Sequence, residues 1–104
     1  MFDLSQPAPA RLNLGGSLTI YEVAEARDAL LSAFAGGRDE TWQLDLTALQ
    51  EIDSAGAQLL LAAHRHLRAA GGDLRLAEPT EPVRELLGLL RLDDLLPAGE
   101  NHVR

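Results

Sequence analysis

Apolar residues recur along this chain with two different periods, and the switches between them mark its elements. Arg11-Leu12-Asn13-Leu14 alternates polar and apolar, as a strand with one buried face does. Gly15-Gly16 then reads as a turn, with Ser17-Leu18-Thr19 continuing a short extended segment. From Tyr21 to about Ala35 the period becomes helical. Val23, Ala26, Leu30, Ala33 and Phe34 share one side, while Glu22, Glu25, Arg27 and Asp28 fall mostly on the other. Thr19 is placed to cap this helix and Gly36-Gly37 to end it.

Thr41 to Leu46 is the strongest strand pattern, entered through the polar turn Arg38-Asp39-Glu40. A second helix is expected from Ser54 to about Ala70, with Gly56, Leu60, Ala63, Leu67 and Ala70 as its core stripe and Gly71-Gly72 as its stop. Asp73 to Ala77 alternates again. Pro79 and Pro82 punctuate the start of a last helix, about Glu81 to Leu90, with Val83, Leu86, Leu87 and Leu90 inward. Arg91 to Leu96 completes a final turn or short strand before Pro97. Met1 to Ala10, with Pro7 and Pro9, reads as a loose lead-in or an irregular edge strand.

This order predicts one α/β domain over residues 10–97, preceded by a lead-in at 1–9 and followed by a polar tail at 98–104. The expected sheet is mixed and mostly parallel, with about four strands and three to four helices packed on it. Right-handed crossovers make the strands around Trp42 and Leu74 parallel neighbours.

Composition removes several chemistries. The 104 residues carry a net charge of −7, which argues against nucleic acid or anionic lipid as the partner of a broad basic surface. All nine basic residues are Arg, so a P-loop lysine, a Schiff-base lysine and the lysine of a phospho-aspartate receiver are all missing. No Cys offers a thiolate or a disulfide. The opening residues lack a signal-peptide pattern, and no apolar run reaches the ~18 residues of a membrane span. A cytoplasmic protein is the simplest expectation.

The chemistry concentrates in Asp53-Ser54-Ala55-Gly56, between a strand–loop and the second helix. Ser54 is read as the N-cap, at a helix end whose free N–H groups and dipole favour an anion such as phosphate. Gly56 is expected to leave backbone bare for close approach. The plain reading of Ser54 is a cap and nothing more. Asp45 and Asp53 could form an acid–base pair, but no nucleophile–base set accompanies them, and loop-shaping is the simpler role. No catalytic residue and no cofactor are therefore assigned. His64 and His66 point about 200° apart around one helix, and His102 lies in the tail, so no metal site is assigned either. Trp42 is expected in the core, and Leu61 at its edge beside Gln58.

Taken together, Leu44-Asp45-Leu46-Thr47, Ile52-Asp53-Ser54-Ala55-Gly56, the apolar helix that follows, Gly71-Gly72 and Leu74-Arg75-Leu76 resemble the STAS domain of anti-sigma-factor antagonists. Gly16-Ser17-Leu18-Thr19 ahead of a helix resembles its first half, so the likeness spans roughly residues 10–96. The resemblance implies a signalling switch rather than an enzyme. Ser54 matches the serine phosphorylated by a partner kinase that doubles as an anti-sigma factor, with a partner phosphatase resetting it. Leu18, Thr19, Ile20, Asp53, Ser54, Ala55, Gly56, Gln58 and Leu61 become the implied partner surface, and Asp45 and Thr47 shape the loop. The protein would be a monomer or weak dimer. Thr19 stands where related antagonists often carry an acidic residue, and Leu18-Thr19-Ile20-Tyr21 looks closer to relatives in chemotaxis-type clusters. An alternative branch docks, without phosphorylation, on the ATPase of lipid-transport ABC complexes.

Overall fold

A computed structural model describes residues 1–92. The alternating stretches form a five-stranded sheet: β1 (Phe2–Ala8), β2 (Arg11–Leu18), β3 (Thr41–Asp45), β4 (Leu49–Ile52) and β5 (Asp73–Ala77). The helices are α1 (Val23–Phe34), α2 (Ser54–Ala69) and α3 (Glu81–Leu89). The order across the sheet is β1-β2-β3-β5, with β4 also paired to β2. β1 is antiparallel to β2, and the other pairings are parallel, including Trp42 opposite Leu74. The fold is thus α/β with a mixed, mostly parallel sheet, as expected, but with five strands.

Register explains the layering. Leu12 lies opposite Leu44, and Leu44 opposite Leu76, so the leucines of three strands share one face. That face joins Ala26, Leu30 and Phe34 of α1, Leu60, Ala63 and Leu67 of α2, and Val83 and Leu87 of α3 in a single core. The intervening Arg11, Asn13, Thr41, Gln43 and Arg75 are exposed on the other face. Trp42 is buried in the core, edge-on to Phe34 with ring centroids 5.4 Å apart, and its indole N–H donates to the Gly37 carbonyl at 2.8 Å. Among the described residues no helix is long and apolar enough to cross a membrane.

Residues 2–8 take the second of their two expected forms, an irregular edge strand in which Leu4 pairs with Leu14. Three sequence expectations need correction. Gly15-Gly16 is not a turn. It lies inside β2, where Gly16 takes φ +83° and the pairing with β4 shifts register, so one continuous strand bulges instead of reversing. Gly15 is held bare by Ala48, whose Cβ would lie 2.8 Å from a Cβ at that position. β4 was expected as loop. Its four residues, Leu-Gln-Glu-Ile, are too few and too polar to signal a strand, and pairing with β2 makes them one. Finally, α1 begins at Val23 rather than Tyr21, with Glu22 at the N-cap. The expected last turn or short strand falls mostly outside the described residues, as does the polar tail. Leu92 N–H closes α3 by donating to the Leu87 carbonyl at 2.7 Å.

Gly56 is where α2 meets β2. A Cβ there would run into the Leu18 carbonyl oxygen and approach Ile52 Cγ1 to 2.9 Å. Gly88, in α3, has nothing within 4 Å of such an atom. Gly56→Ala should therefore destabilise by about 1–3 kcal/mol through overpacking, whereas Gly88→Ala should stabilise by about 1 kcal/mol through helix propensity. Urea unfolding of both variants checks the contrast.

Candidate functional site

The junction of β4 and α2 is built on one carboxylate. Asp53 has extended backbone (φ −120°, ψ −174°), the conformation of an N-cap. One of its oxygens, Oδ1, accepts from Gly56 N–H at 2.9 Å, in the first turn of α2. The other, Oδ2, accepts from Ile20 N–H at 2.9 Å, in the loop between β2 and α1. Asp53 N–H donates to the Leu18 carbonyl at 3.4 Å. One side chain therefore caps the helix and ties a loop 33 residues upstream to it. The Gly56 N–H, then the Ile20 N–H, hold its pKa below the ordinary aspartate value, because both favour the charged form.

That upstream loop has its own carboxylate. Glu22 Oε1 accepts from the Thr19 hydroxyl at 2.6 Å and the Thr19 N–H at 2.9 Å. Its Oε2 lies 2.7 Å from the Met1 ammonium and 3.2 Å from the Ser17 hydroxyl. The ammonium, then the Thr19 hydroxyl and N–H, lower the Glu22 pKa to about 2. With its turns fixed in this way, the loop carries Ile20 and Tyr21 outward, 62% and 89% exposed.

Ser54 is not the cap. That role belongs to Asp53, and Ser54 is the first helical residue, exposed, with no side-chain hydrogen bond among the described residues. Gln58 is exposed and Leu61 half-buried at the four- and seven-residue steps from Ser54, so the three share a side of α2. Ala55, Thr19 and Asp53 are half-buried beside them. Two expected surface residues do not belong there. Leu18 is 0% exposed, and Gly56 is buried against it, so the bare glycine backbone admits β2 rather than a ligand. Asp45 accepts from Thr47 N–H at 2.8 Å, which turns the chain after β3. The cavity beside Asp45 is lined by Asn13, Leu14, Thr47 and Ala48, without Asp53, so the two aspartates do not converge on one pocket.

The histidines are separate as well. His64 Nε2 lies 3.3 Å from Asp73, while His66 stacks on Phe34. Among the described residues no group of three His, Cys, Asp or Glu side chains is placed to hold a metal. Tyr21 and Glu22 are the site residues that the sequence reading missed. The spacing Thr19-x-x-Glu22 is a capping-box signature that could have found Glu22, and its returning bond to Thr19 N–H is present.

A sheet covered by helices on one face, with an exposed serine at a carboxylate-tied loop–helix junction, defines a small α/β module. The family model described as "Mlab, STAS domain" matches residues 2–97, and the chain belongs to the STAS domain family. Among solved structures it is similar to the anti-sigma factor antagonist SpoIIAA in its unphosphorylated form, with TM-score 0.74 and 24% identity over 97% of this chain and 92% of that one. The phosphorylated form of Bacillus SpoIIAA gives TM-score 0.68 and 23% identity over 97% and 96%. An anti-sigma factor antagonist from Mycobacterium paratuberculosis gives 0.69 and 18% over 93% and 82%. At these identities the likeness is one of fold. No curated protein sequence matches the chain.

Asp53→Ala should cost about 1–2 kcal/mol as a lost cap, while Ser54→Ala should stay within about 0.5 kcal/mol; urea unfolding separates them. The acid dependence has a definite sign. Asp53 is more acidic folded than unfolded, so its stabilisation is complete above the unfolded value of about 3.9 and fades as pH falls through the lowered folded value. Asp53→Asn can still cap but cannot titrate. Its melting temperature should fall less steeply than that of the wild type on acidification below about pH 5, as followed by circular dichroism.

Proposed function

We propose that this STAS domain is a signalling switch of the anti-sigma-factor-antagonist type. It binds a serine kinase/anti-sigma or chemotaxis-type partner through Ile20, Tyr21, Ser54, Ala55, Gln58 and Leu61, and phosphorylation of Ser54 releases that partner. In this reading the domain is a non-enzymatic, cytoplasmic binding module, and a phosphatase resets it. The carrying observation is that Ser54 is exposed, with no side-chain hydrogen bond among the described residues, while Asp53 does the capping. Modification of the hydroxyl therefore need not dismantle the helix end.

The physical chemistry supports a charge switch. A phosphoserine adds roughly −1.5 to −2 charges at pH 7. Here it would sit at the α2 N-terminus, where the helix dipole and first-turn N–H groups tolerate an anion within the domain. It would also sit next to the Asp53 carboxylate and beside the exposed apolar Ile20 and Tyr21. A partner surface shaped for that apolar loop and a neutral hydroxyl would have to desolvate the new dianion, and binding would be lost without a change of fold. Likeness to a fold solved in both phosphorylated and unphosphorylated forms supports the reading.

A pull-down from the native lysate with wild type, Ser54→Ala and Ser54→Asp as baits tests it. A kinase-like or other signalling partner should bind wild type and Ala and be lost from Asp. If all three baits retain the same partner, such as a transport ATPase, the protein is a constitutive docking subunit and the switch reading fails.

A further inference from the structure

Away from the Ser54 junction, α1 and α2 leave a cleft of about 400 Å³ between them, within the size range of small-molecule sites. Arg27, Leu31 and Phe34 line it from α1, and Leu59, Ala62 and His66 from α2. On each helix these positions recur at three- and four-residue steps, so two single stripes face each other. His66 stacks on Phe34 with ring centroids 6.3 Å apart and an interplanar angle of 26°. Both residues end their stripes, so the helices run the same way and Arg27 and Leu59 mark the other end. Seven residues at 1.5 Å per residue make the cleft roughly 10 Å long. The small Ala62, itself exposed, leaves the gap open between half-buried Leu31 and Leu59.

The charge at this cleft runs against the molecule. The chain carries −7 overall, yet no acidic side chain lines the cleft, and its ionisable lining groups are Arg27 and His66. The Arg27 guanidinium is permanently charged. Its ion-pair partner Asp28 lies 3.4 Å away on open surface, both side chains more than half exposed, so the pair is weak and leaves the guanidinium donors accessible. An apolar trough with a fixed cation at one end selects an occupant with an apolar body and one anionic head. We propose that the α1–α2 cleft binds a free monocarboxylate with an unbranched tail of roughly eight carbons, its head on Arg27 and its tail lying along Leu31, Leu59 and Ala62 toward the Phe34–His66 pair.

Octanoate is the probe, titrated into the whole chain and followed by amide chemical shifts. Saturable shifts confined to residues 27–34 and 59–66 are expected, with Ser54→Ala behaving as wild type. Arg27→Glu should lose octanoate binding at least tenfold and gain octyltrimethylammonium, whereas 1-octanol should bind wild type and variant alike. Ala62→Trp, at an exposed position, should fill the trough and abolish binding of octanoate and 1-octanol. Should that variant lose its dispersed spectrum, Leu31→Glu decides, because it places an anion on the cleft wall and should reject octanoate. Absence of saturable shifts, shifts centred elsewhere, or unchanged octanoate binding in Arg27→Glu would each overturn the proposal.

Discussion

The two hydrogen bonds accepted by Asp53 are the constraint on which the functional end of this molecule depends. β2 and β4 deliver two chain segments to the same end of a parallel sheet, but sheet pairing stops at Leu18 and Ile52. Beyond that point a helix must start on one segment and a loop must turn on the other. A single carboxylate meets both demands, supplying the acceptor for a first-turn donor of α2 and for the Ile20 amide. The requirement of glycine at 56 belongs to the same geometry, because α2 can begin so close to the Leu18 carbonyl only if it lacks a Cβ. Cap, glycine and strand end form one unit, and Ser54 stands just outside it.

This arrangement separates structure from chemistry in neighbouring residues. Where a serine caps its helix, modification of its hydroxyl exchanges one helix-end interaction for another. Here Asp53 bears the structural role, and the hydroxyl beside it is free to change. Glu22 serves the adjoining loop in the same manner, with four acceptor contacts that fix the turn and leave Ile20 and Tyr21 facing solvent. The outward position of these two large apolar side chains is thus set by a satisfied polar frame and not by core packing.

Periodicity made much of the fold legible. The α2 stripe of Gly56, Leu60, Ala63 and Leu67 is buried, the strands around Leu44 and Leu74 pair in parallel, and Gly71 ends α2 at φ +91°. What the pattern hid was non-local. Gly15-Gly16 looks like a turn because glycine pairs usually are; only the approach of Ala48 and the β4 pairing show a bulged strand. β4 has no amphipathic pattern of its own, and β1 contains a proline that only an edge strand tolerates. At the β4–α2 junction, the sequence reading assigned the cap one residue late. Asp and Ser are equally good caps, and the choice was made by Ile20, 33 residues away, which offers its amide to a carboxylate with two acceptor oxygens and not to a hydroxyl.

The one-sided sheet also determines where this domain exposes apolar surface. All three helices share one core face, and the opposite face presents polar side chains such as Arg11, Asn13, Thr41, Gln43 and Arg75. Two apolar surfaces on the helix side adjoin α2: the Ile20–Tyr21 loop near its start, and the trough between α1 and α2. Both are attached to α2, one at its first turn and one along its later turns, but they draw on different residues. A charge placed on Ser54 bears directly on the first, whereas the second is lined by the separate set Leu59, Ala62 and His66. Asp53 at its beginning and buried Leu60 and Leu67 along its length anchor the helix that both surfaces adjoin.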